Sequence, residues 1–353
     1  MFLKDSPTRH MVLGDDMDHD LTAESKAYLV SIGSVAVDES LLAGGLKTSA
    51  TAGPGAGGSS VFITSGGRRV RLSINPASSL RIVPREGDVA IMQGGEIIAA
   101  GRLERPLCHC PRQAYITVSE RCIYNCLFCP VPRLEGKVKT IEEIVRMVDG
   151  AARTGELQSI SLTSGVAESP ENEVRYVVRV VRELRRRYDL PIGVSVYPTE
   201  TSSADLFAAG ASEIKYNVET MDPEIFSRAC PGLSLPEILA ALRGAVEIFG
   251  RNHVSSNFIL GLGETDECVG NGVETLAGMG VIPNLRPISP HPLRRGEIEV
   301  RRPSAERLVL LARVNKDALE RHGLSVTSSR TMCLPCTGCD LVPGIDIWGI
   351  VAN

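Results

Sequence analysis

Six short apolar runs alternate with helical stretches between residues 112 and 321, and this alternation constrains the chain more than any other feature. The runs cover residues 114–118, 159–163, 192–197, 213–218, 254–260 and 281–288. Residues 140–154, 171–188, 203–209, 236–249, 266–278 and 303–321 read as helices, and a further helical stretch begins at Pro223. In the second helix Val178, Val181 and Leu184 recur at helical spacing. Strands that alternate with helices imply parallel β/α units. Six units are fewer than the eight that close a barrel, so the expectation is an α/β fold with a partial barrel, open on one side. Parallel barrels carry their chemistry at the C-terminal ends of the strands. A group of cysteines follows the first strand, at that end.

The chain has 353 residues and is 43% apolar, enough for a large core. That length admits one barrel with an appendage, or two to three smaller domains. The formal net charge of −4 gives no general drive toward nucleic acid or an anionic membrane. The run Arg185-Arg186-Arg187 reads as a solvated helix face. No stretch of about 18 apolar residues suggests a membrane span, and the first residues lack the apolar region of a secretory signal. Ten cysteines in such a chain point to metal or redox chemistry in a reducing cytoplasm, not to a disulfide framework.

Upstream of the barrel, residues 1–44 dictate no fold, and residues 45–60, rich in Gly, Ala, Ser and Thr, read as a loop or mobile linker. From residue 60 to 104, Val61-Phe62-Ile63-Thr64, Arg69-Val70-Arg71-Leu72 and Glu96-Ile97-Ile98-Ala99 are β-type runs separated by Gly66-Gly67 and Gly94-Gly95. The expected plan is a β-rich module over 1–104, a barrel over 105–325 and a cysteine-rich extension over 326–353.

The first cysteine group reads Arg-Cys-Ile-Tyr-Asn-Cys-Leu-Phe-Cys-Pro, which sets Cys122, Cys126 and Cys129 at Cys-x3-Cys-x2-Cys spacing. Three such thiolates can hold three irons of a 4Fe–4S cluster and leave the fourth open to chelate a small molecule. A zinc site and buried structural cysteines are the alternatives. A zinc knuckle usually takes two ligand pairs, and an aromatic residue ahead of a final Cys-Pro is not typical of one. Cys333, Cys336 and Cys339 form a second group, and Cys108-His109-Cys110 a third, just before the first strand. These five thiols suffice for a second metal site, either zinc or an auxiliary iron–sulfur cluster. His109 reads as a neighbour rather than a ligand. The first strand spans roughly 17–20 Å at about 3.3 Å per residue, which sets Cys110 at the far end of the barrel unless residues 111–113 curl upward. The C-terminal trio is the firmer set. Cys230 and Cys268 stand alone and read as ordinary, semi-buried thiols.

Three further segments end strands: Leu162-Thr163-Ser164-Gly165-Val166-Ala167-Glu168, Tyr216-Asn217-Val218-Glu219-Thr220, and Ile259-Leu260-Gly261-Leu262-Gly263-Glu264-Thr265. Amide and carboxylate side chains at strand ends suit the hydroxyl and ammonium groups of a ligand, and glycines let backbone approach it closely. Taken alone, Asn-x-Glu could cap a helix and Gly-x-Gly could be a turn.

With these segments in this order, the cluster loop resembles that of the radical S-adenosylmethionine (radical SAM) superfamily. The resemblance is to the lipoyl synthase and biotin synthase branch, and it covers about residues 108–340. The fold it implies is a partial (β/α)6 radical SAM barrel preceded by a small β-rich module. It implies that the amino and carboxylate groups of SAM occupy the open iron, and that an electron from the cluster cleaves the sulfonium to a 5′-deoxyadenosyl radical. Asn217 and Glu219 would face the ribose or the methionine group. Thr163, Ser164 and Glu168 would meet the methionine moiety, Phe128 the adenine, and Gly261 and Gly263 the nucleoside.

In lipoyl synthase an auxiliary cysteine motif just before strand one holds a second 4Fe–4S cluster that donates sulfur. This chain lacks the bacterial Cys-x4-Cys-x5-Cys form and has only a loose echo, Ser328-Ser329-Arg330, of its serine-bearing tail. Those departures resemble the two-component lipoyl synthase of archaea. Biotin synthase holds its donor cluster with cysteines on barrel strands, and strands two to six contain none here. The resemblance implies an octanoylated lysine on a carrier domain as substrate, a second radical SAM subunit and a low-potential electron donor. A radical SAM enzyme acting on a peptide or as a dehydrogenase, with the auxiliary cluster in electron transfer or anchoring, is the alternative. A zinc-stabilised binding protein with a degenerate barrel is a third.

Overall fold

The computed structural model describes residues 19–50, 53 and 56–348. The first residues, where no secretory signal is expected, lie outside that range, as does part of the 45–60 linker. Helix α1 (Ala23–Ile32) opens the described chain, and Thr22 caps it by accepting a hydrogen bond from the Ser25 backbone N–H at 3.0 Å. Seven strands follow: β1 (Ser34–Val35), β2 (Lys47–Ser49), β3 (Ser59–Ser65), β4 (Arg68–Ile74), β5 (Arg81–Arg85), β6 (Asp88–Gln93) and β7 (Glu96–Glu104). They form one sheet in the order β1-β4-β3-β7-β6-β5, with β2 paired to β3. Ala36, just past β1, bridges to Arg81 of β5, so the two ends of the sheet meet. Val61, Ile63, Leu72 and Ile91 fill the interior.

Two sequence expectations need correction here. Residues 1–44 contain α1 and β1, and the 45–60 linker contains β2. The helix escaped notice because Lys26 is fully buried, where helical periodicity expects an apolar residue. The strands β1 and β2 are too short to show an alternation.

The second sheet follows the predicted alternation. Strands β8 (Gln113–Thr117), β9 (Ser159–Thr163), β10 (Ile192–Ser195), β11 (Glu213–Lys215), β12 (Val254–Leu260) and β13 (Ile282–Pro287) are neighbours in chain order and all parallel. Helices α2 (Ile141–Ala152), α3 (Pro170–Arg185), α4 (Ser202–Ala209), α5 (Pro223–Ala229), α6 (Leu235–Phe249), α7 (Asp266–Met279) and α8 (Ala305–Arg321) alternate with them. Their starts carry local signals: Thr140, Ser169, Asp222, Ser234, Thr265 and Ser304 each accept a backbone N–H of the first turn. No pairing joins β8 to β13, so the barrel is partial.

The open side is faced by the N-terminal part. Arg302, just before α8, donates to the Val30 carbonyl of α1 at 2.7 Å and to the Ile288 carbonyl beyond β13 at 2.7 Å. After α8 the chain returns beneath the barrel and enters the N-terminal mouth of the sheet. The Glu213 carboxylate, at the start of β11, accepts from the Arg330 and Thr331 backbone N–H groups at 2.7 and 3.1 Å. Ser161 accepts from the Met332 N–H at 2.9 Å, and Gln113 donates to the Met332 carbonyl at 3.0 Å. Gly193 of β10 leaves room for this segment: a Cβ there would stand 2.1 Å from Thr331 Oγ1. The segment then forms the short helix α9 (Cys333–Cys336).

Candidate functional site

A cavity of about 360 Å³ occupies the barrel interior. Cys126, Phe128 and Cys129 line it beside the C-terminal strand ends, and Cys110, Cys333, Cys336 and Cys339 line it beside the inserted segment. Between them lie Thr163, Ser195, Lys215, Asn217, Glu219, Asn257 and Arg286. The period of two along a strand explains this set. Glu213, Lys215, Asn217 and Glu219 point inward, while Ile214, Tyr216 and Val218 are buried against the helices. Tyr216 meets Ser202 and Ser203 of α4 at 2.7 and 2.9 Å.

The first cysteine loop follows β8 as expected. Burial, together with the neighbouring thiols of Cys126 and Cys122, pushes Cys129 up to about 12. Burial also raises Cys122, against hydrogen bonds from the Val166 and Tyr124 backbone. These three thiols are neighbours on one loop with no acidic or histidine ligand among them, a donor set that fits iron–sulfur ligation. The Cys129 carbonyl accepts from Arg294 Nε at 2.7 Å, and Leu127 N–H donates to the Ala229 carbonyl at 2.8 Å. Cys230 corrects an expectation: it is not a lone semi-buried thiol but is buried and hydrogen-bonded to Cys126.

Glu219 holds a left-handed backbone, φ 58°, a conformation that costs energy in a non-glycine residue. Burial pushes its carboxyl up to about 7, against a hydrogen bond from Asn217 and the charges of Lys215 and Arg286. Asn217 Oδ1 also accepts from the Asn257 N–H at 3.3 Å.

The second thiol group draws on both ends of the chain. Cys110 does not curl upward; it bridges back to Gln113 at the strand start, and the C-terminal trio comes to it. Cys110 and Cys336 pack together against Phe62 of β3 and Tyr115. The hydrogen bond from Cys110, then the Arg69 guanidinium, lowers Cys336, while that bond and burial hold Cys110 well above the thiol range. Lys215 Nζ stands 3.6 Å from Cys333 Sγ and 3.4 Å from the Tyr115 hydroxyl. Arg71 Nη1 stands 3.9 Å from Cys339 Sγ, and Arg286 pairs with Asp340 at 3.1 Å. Arg69 donates to the Cys336 carbonyl at 2.8 Å. Among the described residues no three His, Cys, Asp or Glu side chains are grouped as for a single metal ion. The set of four thiols ringed by cations fits a larger, anionic metal group held by cysteine sulfur.

Cys108 and His109 line the same cavity. Cys108 has its thiol 4.0 Å from the Met147 carbonyl and is raised to about 11 by burial alone. His109 bonds the Ser49 carbonyl at 3.1 Å, and burial with the charges of Arg71 and Arg286 lowers it to about 3. Ser164 accepts from the Ser119 N–H at 2.9 Å and bonds Glu173. Glu168 accepts from Asn172 on α3 at 3.1 Å and borders an outer groove, not the cavity. Gly261, φ 110°, backs onto the Arg301 carbonyl, 2.2 Å from where its Cβ would lie, and Gly263 has φ 109°. Glu264 accepts from the Gly261 and Leu262 N–H groups at 2.7 and 2.8 Å, so the glycines serve the loop's own turn. The Ser329 hydroxyl is taken by Glu213 at 2.7 Å. Sequence reasoning passed over Arg71, Lys215 and Arg286. The charged alternation Glu213-Ile-Lys215-Tyr-Asn217 in a buried strand is the signal that marks Lys215.

No curated protein sequence matches the chain significantly. Solved structures with a similar fold include methylornithine synthase (PylB), at TM-score 0.50 and 16% identity over 68% of this chain and 76% of that one. The [FeFe]-hydrogenase maturase HydG matches at TM-score 0.48 and 18% identity, covering 59% of this chain and 50% of its own, so the chain spans half the length of that relative. Coproporphyrinogen III oxidase (HemN) from Escherichia coli matches at TM-score 0.39 and 18% identity over 47% of this chain and 41% of that one. At these identities the likeness to PylB shows the fold alone. No helix among the described residues is long and apolar enough to cross a membrane. The family model "Radical SAM superfamily" matches residues 116–276, a little under half of the chain, and that stretch contains Cys122, Cys126 and Cys129 together with Thr163, Asn217 and Glu219.

Proposed function

We propose that this chain is a radical SAM sulfur-inserting enzyme related in chemistry to lipoyl synthase. The observation that carries the reading is the single cavity lined at one end by Cys126 and Cys129 and at the other by Cys110, Cys333, Cys336 and Cys339. A radical formed at one end and a sulfide held at the other would meet a substrate between them. Cys122, Cys126 and Cys129 hold the first 4Fe–4S cluster. Cys110 and the C-terminal trio hold an auxiliary one, without Cys108. When bound, SAM and the two clusters supply the radical and the sulfide. The chain's own residues bind and orient. Asn217, Asn257 and Thr163 offer hydrogen bonds to the ribose and amino-acid groups of SAM, and Glu219, poised near neutrality, accepts from its ammonium. Phe128 closes the adenine side. The buried walls exclude water from the reacting carbon.

In this reading residues 105–325 are the catalytic barrel, and residues 326–353 are the extension that brings the auxiliary ligands. The substrate is an octanoyl-lysine on a carrier domain, met in the cytoplasm with a second radical SAM subunit and a low-potential electron donor. The polar and cationic middle of the cavity favours a second reading, a peptide-modifying or dehydrogenating enzyme whose auxiliary cluster transfers electrons or anchors substrate. An anaerobic assay with SAM, dithionite and an octanoyl-lysine peptide, with and without a partner subunit, separates the two. Thiolated peptide supports insertion. 5′-Deoxyadenosine without any thiolated product under every condition would sink it.

A further inference from the structure

Two cations reach the second thiol group from opposite sides of the molecule. Lys215 of β11 is buried, 3% exposed, and among the described residues its ammonium has as partners only Cys333 Sγ at 3.6 Å and the Tyr115 hydroxyl at 3.4 Å. Arg71 of β4 reaches Cys339 Sγ at 3.9 Å, and its inaccessible Nε has no hydrogen-bond partner. The other nearby cations have carboxylates: Arg69 pairs with Glu104 and Arg286 with Asp340. Among the described residues neither Lys215 nor Arg71 has a carboxylate within 4.0 Å. A buried charge without a counter-charge is strongly unfavourable. The groups at hand to supply that counter-charge are the sulfurs.

We propose that Lys215 and Arg71 are positioning residues whose charges, set beside Cys333 Sγ and Cys339 Sγ, stabilise the auxiliary cluster as an anion. This rests on the reading that the four thiols ligate an iron–sulfur cluster. It also assigns a role to the N-terminal sheet, which becomes one wall of the metal site through Arg71, Arg69 and Phe62. A cluster held by four thiolates is a net anion, and reduction makes it more negative. Removing a neighbouring positive charge therefore disfavours the reduced form more than the oxidised one, and the potential falls.

The test uses the full chain carrying Cys122→Ala, Cys126→Ala and Cys129→Ala, so that only the second site takes iron. After anaerobic reconstitution, iron and sulfide are counted and the midpoint potential is followed by paramagnetic resonance. Lys215→Met and Arg71→Met are compared with Lys215→Arg, Arg71→Lys and the exposed-site control Arg81→Met. The expected result is a more negative potential in both methionine variants and a potential near the parent's in the charge-keeping variants and the control. Loss of iron in the methionine variants but not in the charge-keeping ones also supports the proposal. A cluster of unchanged potential in the methionine variants overturns it and leaves the auxiliary-cluster reading intact. Loss of iron in the charge-keeping variants as well overturns it too, because shape rather than charge then decides. A parent that takes up no iron, or only zinc, overturns both.

Discussion

At the residue scale, two positions have consequences that can be measured. Gly193 is the one strand residue whose missing side chain admits Thr331. In Gly193→Ala the new methyl must displace the C-terminal segment or strain β10, at a cost of about 1–3 kcal/mol. Denaturant unfolding should show that loss, and the reconstituted variant should lose iron from the second site while keeping it at the first. Full second-site iron in a variant of undiminished stability would contradict the insertion. Glu219 makes a pH prediction. Its carboxyl sits at about 7 in the folded chain against an ordinary 4.5, so folding favours its protonated form. The stability this contributes is full below about 4.5 and is lost as pH rises through 7. In metal-free protein, Glu219→Gln should therefore gain stability relative to the parent between pH 5 and pH 8. Parallel pH profiles for the two proteins would refute this. That Asn217 and Glu219 face the cavity was legible in the sequence from their spacing of two at a strand end. That Ser164, Glu168, Gly261 and Gly263 do not line it was not legible, because the turns after β9 and β12 bend those residues to bonds with Ser119, Asn172 and Arg301, and no periodicity reports a turn's direction.

At the scale of elements, the barrel strands and helices were the most legible part. Their boundaries follow from caps such as Thr140 and Ser169, and from apolar periods that packing rewards on one face. The short helix α9 was not legible as a plug. Its apolar content is slight, and its place depends on Gln113, Ser161 and Glu213, which are three separate strands' inward residues. Replacing Cys333, Cys336 and Cys339 together by Ala should leave the barrel folded and the first cluster assembled. Iron per chain should fall from about eight to about four. Radical formation, read as 5′-deoxyadenosine, should persist while any sulfur transfer is lost. If iron does not fall, the trio does not ligate the second cluster.

At the scale of the whole molecule, the two ends of the chain are locked together. Lys26 of α1 pairs with Asp346 at 2.6 Å, with both side chains fully buried, and also donates to the Thr337 carbonyl at 2.6 Å. Burial raises the Asp346 carboxyl while Lys26 draws it down. Removing one partner leaves the other charge stranded, so Lys26→Met should cost about 3–5 kcal/mol of stability. Lys26→Met with Asp346→Leu should recover most of that loss. Equal loss in the single and double variants would mean that the pair is not the lock. Ser49, Arg71 and Ser73 make the N-terminal sheet part of the cavity's wall rather than an appendage, which the mixed composition of residues 1–60 did not disclose.

The sequence by itself determined the parallel β/α units, the cysteine loop at the C-terminal end of the first strand, and the inward alternation of β11. Each of these is local: spacing within one strand, one helix or one loop carries the information. Only the tertiary structure decided that Cys110 meets Cys336 and that Arg71 and Lys215 flank the group. Those neighbours come from segments as far apart as the 268 residues between Arg71 and Cys339. Packing of the N-terminal sheet across the barrel's open side brings them together, and no period within the chain encodes such a contact.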